Sequence, residues 1–373
     1  MMEKKNNVIS SFQLFVLCFQ LIPALFVSVG LSVIFSLSKQ DTWIVSIISA
    51  IIGVIPLLLL IYIINYEPKK NIFEKNQILF GTIIGNIINF MLFVYVFLMV
   101  IIVNISVVNF SITQYLINTP PVVISTVIVL VATYAVICGI ETICRTVEAI
   151  TFIAIPIIIF IAINLSFQFD FDFLRPILTE GIPPTLKHTF LFISYSHTPL
   201  FLLLIIKKDD IVDKERYKKF IMWGYFFGMF LSFLVVFLTL GVTYPKIAEL
   251  YRYPGFYVLR KIGIGNAINN VENILSMHWL YNSFIFLMFG LYFVSVYVEK
   301  IFKIKKKKKL NIAIIILAIS SIIISRNAFG NPAIMIVFFR DVLPYFVFGV
   351  LLGLILLISI FIFIKKQKKN KAA

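Results

Sequence analysis

The chain has 373 residues, 61% of them hydrophobic and 13% charged, with a formal net charge of +16. A soluble domain is about half apolar and about a quarter charged, so this composition excludes a soluble protein of ordinary make-up and specifies an all-α integral membrane protein. The basic excess falls in breaks between apolar runs, as expected of a topology signal attracted to anionic lipid and not of nucleic-acid binding.

Ten apolar runs are long enough to be read as spans: 10–37, 43–66, 79–110, 120–139, 142–164, 185–206, 218–241, 271–299, 310–325 and 341–364. The start, MMEKKNNVISSFQLF, superficially resembles a signal peptide. No small-residue cleavage site follows it, so it reads as the first membrane helix. Span 1 contains FVLCFQLIPALFVSVGLSV, with Gln20, Pro23 and Gly30 interrupting an otherwise oily run. Span 3 is long enough to tilt, and its Tyr95 is a candidate to project inward, although aromatic packing is the simpler reading. At the start of span 5, Glu141, Arg145 and Glu148 share one helical face at i, i+4 and i+7, an internally paired cluster or a gate.

The segment 166–187 mixes aromatic residues with Pro, Gly and a few charges, and so does 243–273. Short helices at the outer surface are expected in both. Between them, span 6 reads FLFISYSHTPLFLLLII: Ser194, Tyr195, Ser196, His197 and Thr198 run into Pro199 in its middle. His197 reads more readily as a histidine bonded to backbone than as a proton carrier. Span 8 brings Ser276, His278, Tyr281 and Asn282 into its outer half, with Glu272 at its entry. Span 9 is short.

Most of the 33 Lys and Arg lie in segments that fall on one side when both termini are cytoplasmic, including KKDDIVDKERYKK, KIFKIKKKKK and KKQKKNK. The expected organisation is a single ten-span membrane domain over 1–373, with a first repeat at 1–164, a second at 185–364 and a basic cytoplasmic tail at 365–373. Five spans per half make the halves an inverted repeat, a plan whose binding site is marked by interrupted helices at equivalent positions. Pro23 and Pro199 occupy such positions, so helices 1 and 6 are expected to be discontinuous. Each proline deprives a carbonyl of its donor, that of Phe19 and that of Tyr195. Half-helix N-termini beyond each break suit a carboxylate, and the freed carbonyls suit an ammonium group. Gln20, Leu21, Pro23 and Ala24 are then one wall of a midplane pocket for an amino acid. Ser194 to Pro199 form the other, with Tyr95, Tyr281 and Asn282 as further candidates.

Nothing in the sequence is arranged for catalysis: there is no phosphate-cradling glycine loop, no metal-type spacing and no cofactor motif. Cys18, Cys138 and Cys144 read as buried structural thiols. Three stretches carry a family resemblance. TYAVICGIETICRTVEAITFIAIPIII (133–159), FDFLRPILTEGIPPTLK (171–187) and YPKIAELYRYPGFYVLRKIGIGNAINNVENILSMHWL (244–280) resemble, in order, segments of the B subunit of GerA-type spore germinant receptors, the spore permease family.

The resemblance implies an amino acid–polyamine–organocation transporter-like fold and the sensing of a small nutrient, usually an amino acid, in the spore inner membrane. It also implies two partners, a larger A subunit and a lipoprotein C subunit. QLIPAL stands where the family usually has a glycine-containing break in span 1. SYSHTPL stands where span 6 often carries a Gly-hydrophobic-Glu pattern. The alternatives are a secondary amino-acid transporter driven by protons or sodium, and a scaffold with a vestigial pocket.

Overall fold

The computed structural model describes residues 9–178, 181–262, 271–328 and 337–372. Among them the structure is helical throughout, apart from one isolated bridge between Ile9 and Ile211. Eight helices are long and apolar enough to cross a membrane, or nine when one bent pair is counted as a span. The first run, Ser11–Asn65, has 55 residues. Unbroken, it would extend about 80 Å against a hydrocarbon core of about 30 Å. It is interrupted at Lys39, whose φ of 47° lies outside the helical region.

The elements are α1 (Ser11–Leu25), a π-helical turn (Phe26–Gly30), α2 (Leu31–Ser38), α3 (Thr42–Ile52), α4 (Val54–Asn65), α5 (Ile72–Gln114), α6 (Pro121–Cys138) and α7 (Ile140–Ser166). There follow α8 (Ile182–His197), a 3-10 segment (Pro199–Ile205), α9 (Tyr217–Val242), α10 (Pro245–Leu250), α11 (Pro254–Leu259), α12 (Val271–Leu275), α13 (Met277–Ile301) and α14 (Lys307–Ala328). The last span winds as π (Phe338–Val342), α15 (Leu343–Phe346), π (Val347–Leu352) and α16 (Gly353–Ala372). One end of the bundle carries the lysine-rich connections and is the basic end. The other carries the 167–178 and 243–262 segments and is the long-loop end. The short helices expected in the second of these are α10 and α11, and the first holds a 3-10 turn, Phe171–Leu174.

Local chemistry explains the boundaries. Ser10 Oγ accepts from Gln13 N and Gln13 Oε1 accepts from Ser10 N, both at 3.1 Å, a reciprocal cap that starts α1. Asn71 and Glu74 do the same for α5. Gly81, at φ 78°, then turns the chain within α5. Asn76 and Asn89 would lie about 20 Å apart on a straight helix, yet Asn76 Nδ2 donates to Asn89 Oδ1 at 2.9 Å. Asn89 Nδ2 in turn donates to Phe73 O at 2.9 Å. The part of α5 before Gly81 is therefore a short helix folded back at the basic end, while 82–114, about 50 Å of helix, keeps the extra length expected of span 3. Buried Lys75 on that short helix donates to Ile63 O at 2.9 Å and Ile64 O at 3.1 Å, closing the C-terminus of α4. Span 9, expected to be short, is the 22-residue α14. The tail continues α16 as helix, with Lys365 Nζ on Ile78 O at 2.8 Å and Lys366 Nζ 4.6 Å from the centre of the Tyr62 ring. Of the three thiols expected to be buried, Cys138 is exposed, at the end of α6.

α1 packs most extensively on α9. A Cβ on Gly224 would stand 2.5 Å from Phe15 O, and one on Gly228 would stand 3.0 Å from Phe19 O. Small residues at this spacing let the two backbones approach closely. This contact also corrects the expectation for Pro23. The Phe19 carbonyl that Pro23 leaves without a donor faces α9, not a pocket, and the chain stays helical through Pro23. The irregularity in helix 1 comes three residues later, as the π turn, where winding widens without unravelling. Helix 6 does break: α8 ends at His197 and the 3-10 segment departs at 41°.

A third interruption, at Gly53 between α3 and α4, meets the helix 6 break. His197 Nε2 lies 3.0 Å from Gly53 O and 3.3 Å from the Tyr225 hydroxyl, which donates to Ala50 O at 2.8 Å. A Cβ on Gly53 would sit 2.1 Å from His197 Nε2. Gly53→Ala is expected to cost about 1–3 kcal/mol by overpacking, read as a lower thermal unfolding midpoint of the purified chain in detergent. Adding His197→Ala should return part of that loss; strictly additive effects would show that the two residues do not oppose each other.

Candidate functional site

The polar run before Pro199 is spent on internal bonds. Ser194 Oγ donates to Phe190 O at 2.9 Å and lies 3.2 Å from Pro344 O. Tyr195 donates to Phe339 O, and Thr198 donates to Ser194 O. Ser196 Oγ lies 3.0 Å from Phe192 O and 2.9 Å from His197 Nδ1. Gly53 O only accepts, so Nε2 holds the ring proton of a neutral His197, and Nδ1 accepts from Ser196. Tyr95 is buried with its hydroxyl beside Thr198, which joins α5 to the helix 6 break.

Next to the two expected walls, helices 1 and 6 touch directly: the Phe26 and Phe192 rings are 4.3 Å apart, and Gly30 abuts the Tyr195 ring. Gln20 turns elsewhere, its Nε2 donating to Thr151 Oγ1 on α7 at 2.9 Å, while Leu21, Pro23 and Ala24 are buried in the core. Ser194 also lines a groove of about 560 Å³ with Lys187, Arg340 and Asp341.

Open space lies one to two turns further along helix 1, toward the long-loop end. Beside the π turn is a cavity of about 110 Å³, walled by Val27, Ser28, Leu31 and Ser32. Aliphatic residues of α7 and α9 form its far side, including Ala162, Leu231 and Leu238. Its roof is aromatic. Phe110 stands 4.9 Å from Tyr253, 5.3 Å from Phe256 and 4.1 Å from Trp279, centre to centre. A second recess of about 40 Å³ shares Ser28, Val29, Ser32, Arg252 and Tyr253 with the first, and adds Val33, Ser106 and Phe339. The two spaces adjoin across the outer part of helix 1, the first almost wholly apolar and the second mixed, with serines and Arg252 among aliphatic and aromatic residues.

The π turn explains why room exists there. Changing from i+4 to i+5 bonding widens the helix and loosens its carbonyls. Trp279 Nε1 donates to Val27 O at 2.9 Å and holds the widened turn in place. One turn away, His278 is nine-tenths buried and faces the cavity with no partner for Nδ1; Asn282 Nδ2 lies 3.3 Å from its Nε2. With Asn282 donating, the ring proton sits on Nδ1, a covered and unpartnered donor in the cavity wall. Burial holds the Tyr253 phenol above its ordinary value, so it too stays a neutral group.

The remaining expected residues are dispersed. Asn282 reaches the cavity only through His278, and the Tyr281 hydroxyl lies 3.7 Å from Met277 Sδ at an exposed position. Glu272 lies beside Tyr115 at the roof. At the basic end Arg145 pairs with Glu141 at 2.8 Å. Glu148 does not complete the row; it accepts from Gln13 on α1 at 3.2 Å. Sequence reasoning passed over Ser28, Ser32, Ser106 and Arg252. The i, i+4 spacing of Ser28 and Ser32 beside Gly30 is a usable signal, whereas Arg252 is one of several basic residues in the 244–280 stretch and nothing local sets it apart.

The spore permease family model, described as "Spore germination protein", matches residues 8–329. The chain belongs to this family. It is similar to spore germination protein XB of Bacillus anthracis, 22% identical over 346 residues, which is 89% of this chain and 91% of that one. It is also similar to spore germination protein YndE of Bacillus subtilis (strain 168), 23% identical over 274 residues, 72% of this chain and 73% of that one. Membership makes this a germination-related membrane protein, of receptor or permease-like character. The matched region contains the apolar cavity and its roof, and every lining residue of the recess except Phe339. Trp279→Phe should cost about 1–3 kcal/mol by leaving Val27 O without its indole donor; an unchanged unfolding midpoint in detergent would show that water replaces it freely.

Proposed function

We propose that the chain is the nutrient-binding membrane subunit of a spore germinant receptor, seated in the spore inner membrane with both termini cytoplasmic. The observation that carries this reading is the apolar cavity beside the π turn of helix 1, roofed by the long-loop segment. An apolar cavity of about 150 Å³ is known to hold the six carbons of benzene, so about 110 Å³ suits roughly four or five non-hydrogen atoms, with the adjoining recess of about 40 Å³ taking a further polar group. That is the size of a small amino acid. Counting Ser11–Asn65 as two crossings either side of Lys39, and the bent pair as one, gives ten spans in two inverted groups of five.

The hydrogen-bonded run of Ser194 to Thr198, through His197 on Gly53 O, joins the two groups next to the cavity. Occupancy shifts their arrangement only as far as the ligand binds one state better than the other. The A and C subunits receive that shift. The α8 break also fits a second reading, a proton- or sodium-coupled amino-acid transporter.

Spores carrying Ala162→Phe, which fills the chamber from α7, should need roughly tenfold more nutrient for half-maximal germination at an unchanged protein level. A superimposable dose–response curve removes the cavity from the mechanism. The chain reconstituted alone in proteoliposomes should not accumulate labelled amino acid under an imposed proton or sodium gradient; accumulation would establish the transporter instead.

A further inference from the structure

Arg252 lies in the wall of both spaces, between α10 and α11. Among the described residues it has no carboxylate partner, and its cation sits 5.5 Å from the centre of the Tyr253 ring. A cation held at the edge of a low-dielectric chamber without a counter-charge is costly, and it is satisfied when an anion arrives. The guanidinium fork matches a carboxylate with two parallel bonds.

The groups around it complete the pattern. Ser28 donates to Ala24 O, and Ser106 Oγ donates to Ile102 O at 3.0 Å. Their protons are committed to their own helices, so in the recess these oxygens serve as acceptors, suited to an ammonium group. At about 40 Å³ the recess takes one polar group and not a body, since a water molecule claims about 30 Å³. On the other side, the roof and the walls on α7 and α9 are aliphatic and aromatic.

We propose that Arg252 is the carboxylate anchor of this site. The ligand is an α-amino acid with a short branched aliphatic side chain, its ammonium group on the recess serines and its hydrocarbon in the apolar chamber. This rests on the nutrient-binding reading above and adds to it the polarity of the bound molecule and the segment that grips it. Because Arg252 belongs to the roof, gripping the carboxylate and covering the ligand are one event.

The test uses the full-length chain in nanodiscs with tritiated L-valine as probe, competed by isovalerate, which lacks the amine, and by isobutylamine, which lacks the carboxylate. Isovalerate should displace valine, and isobutylamine at the same concentration should not. Arg252→Gln should weaken valine binding roughly ten- to hundredfold, and Arg252→Lys should retain an intermediate affinity, with both variants monodisperse on size exclusion. Undiminished binding by Arg252→Gln, equal competition by the amine, or no valine binding to the wild type each overturns the proposal. Should Ala162→Phe still shift the spore response to another nutrient, the receptor reading survives and only the assignment of the anchor and ligand class falls.

Discussion

In hydrocarbon, every main-chain N–H and C=O must find its partner inside the protein, and this constraint shapes each irregular point of the fold. Where winding changes, a side chain from another helix supplies the missing bond. Trp279 serves the π turn of helix 1 at Val27 O, and His197 serves the interruption at Gly53. Lys75 serves the end of α4. These bonds tie distant segments together, so the breaks stiffen the bundle as much as they deform it. Asn104 acts similarly at a regular stretch: its Nδ2 lies 2.8 Å from Ser125 Oγ and 3.2 Å from Ser325 Oγ, linking α5, α6 and α14.

The same constraint separates what the sequence made legible from what it did not. Apolar run length marks a span because a helix must cross about 30 Å, so the runs were found within a few residues of the helices that contain them. The run at 79–110 concealed the turn at Gly81, because apolarity continues across it while φ does not. Pro23 and Pro199 look alike in sequence but act differently. Pro199 starts a 3-10 segment at an angle. Pro23 sits inside α1, its orphaned carbonyl laid against the glycine face of α9. No local pattern reports which neighbour a carbonyl will face.

The site was legible in part for the same reason. Five polar residues before Pro199 signalled something unusual, and the structure places there a saturated hydrogen-bond cluster. The cavity instead depends on a register change in helix 1 and on a segment more than 220 residues away that supplies Arg252 and Tyr253. A π turn leaves no composition signature, and neither does a pairing across such a distance. Ser28 and Ser32 were visible as a polar stripe, but they gain meaning only once Ser106 and Arg252 stand opposite.

The roof over the cavity is built from rings, Phe110 with Tyr253, Phe256 and Trp279. Contacts of this kind are indifferent to ionic strength, whereas a charged latch would loosen as salt rose through the physiological range. They do respond to temperature, because removing apolar surface from water carries a large heat-capacity change. The rings of such a lid escape the screening that weakens the Arg252 grip in brine, and they drift instead with warmth and cold.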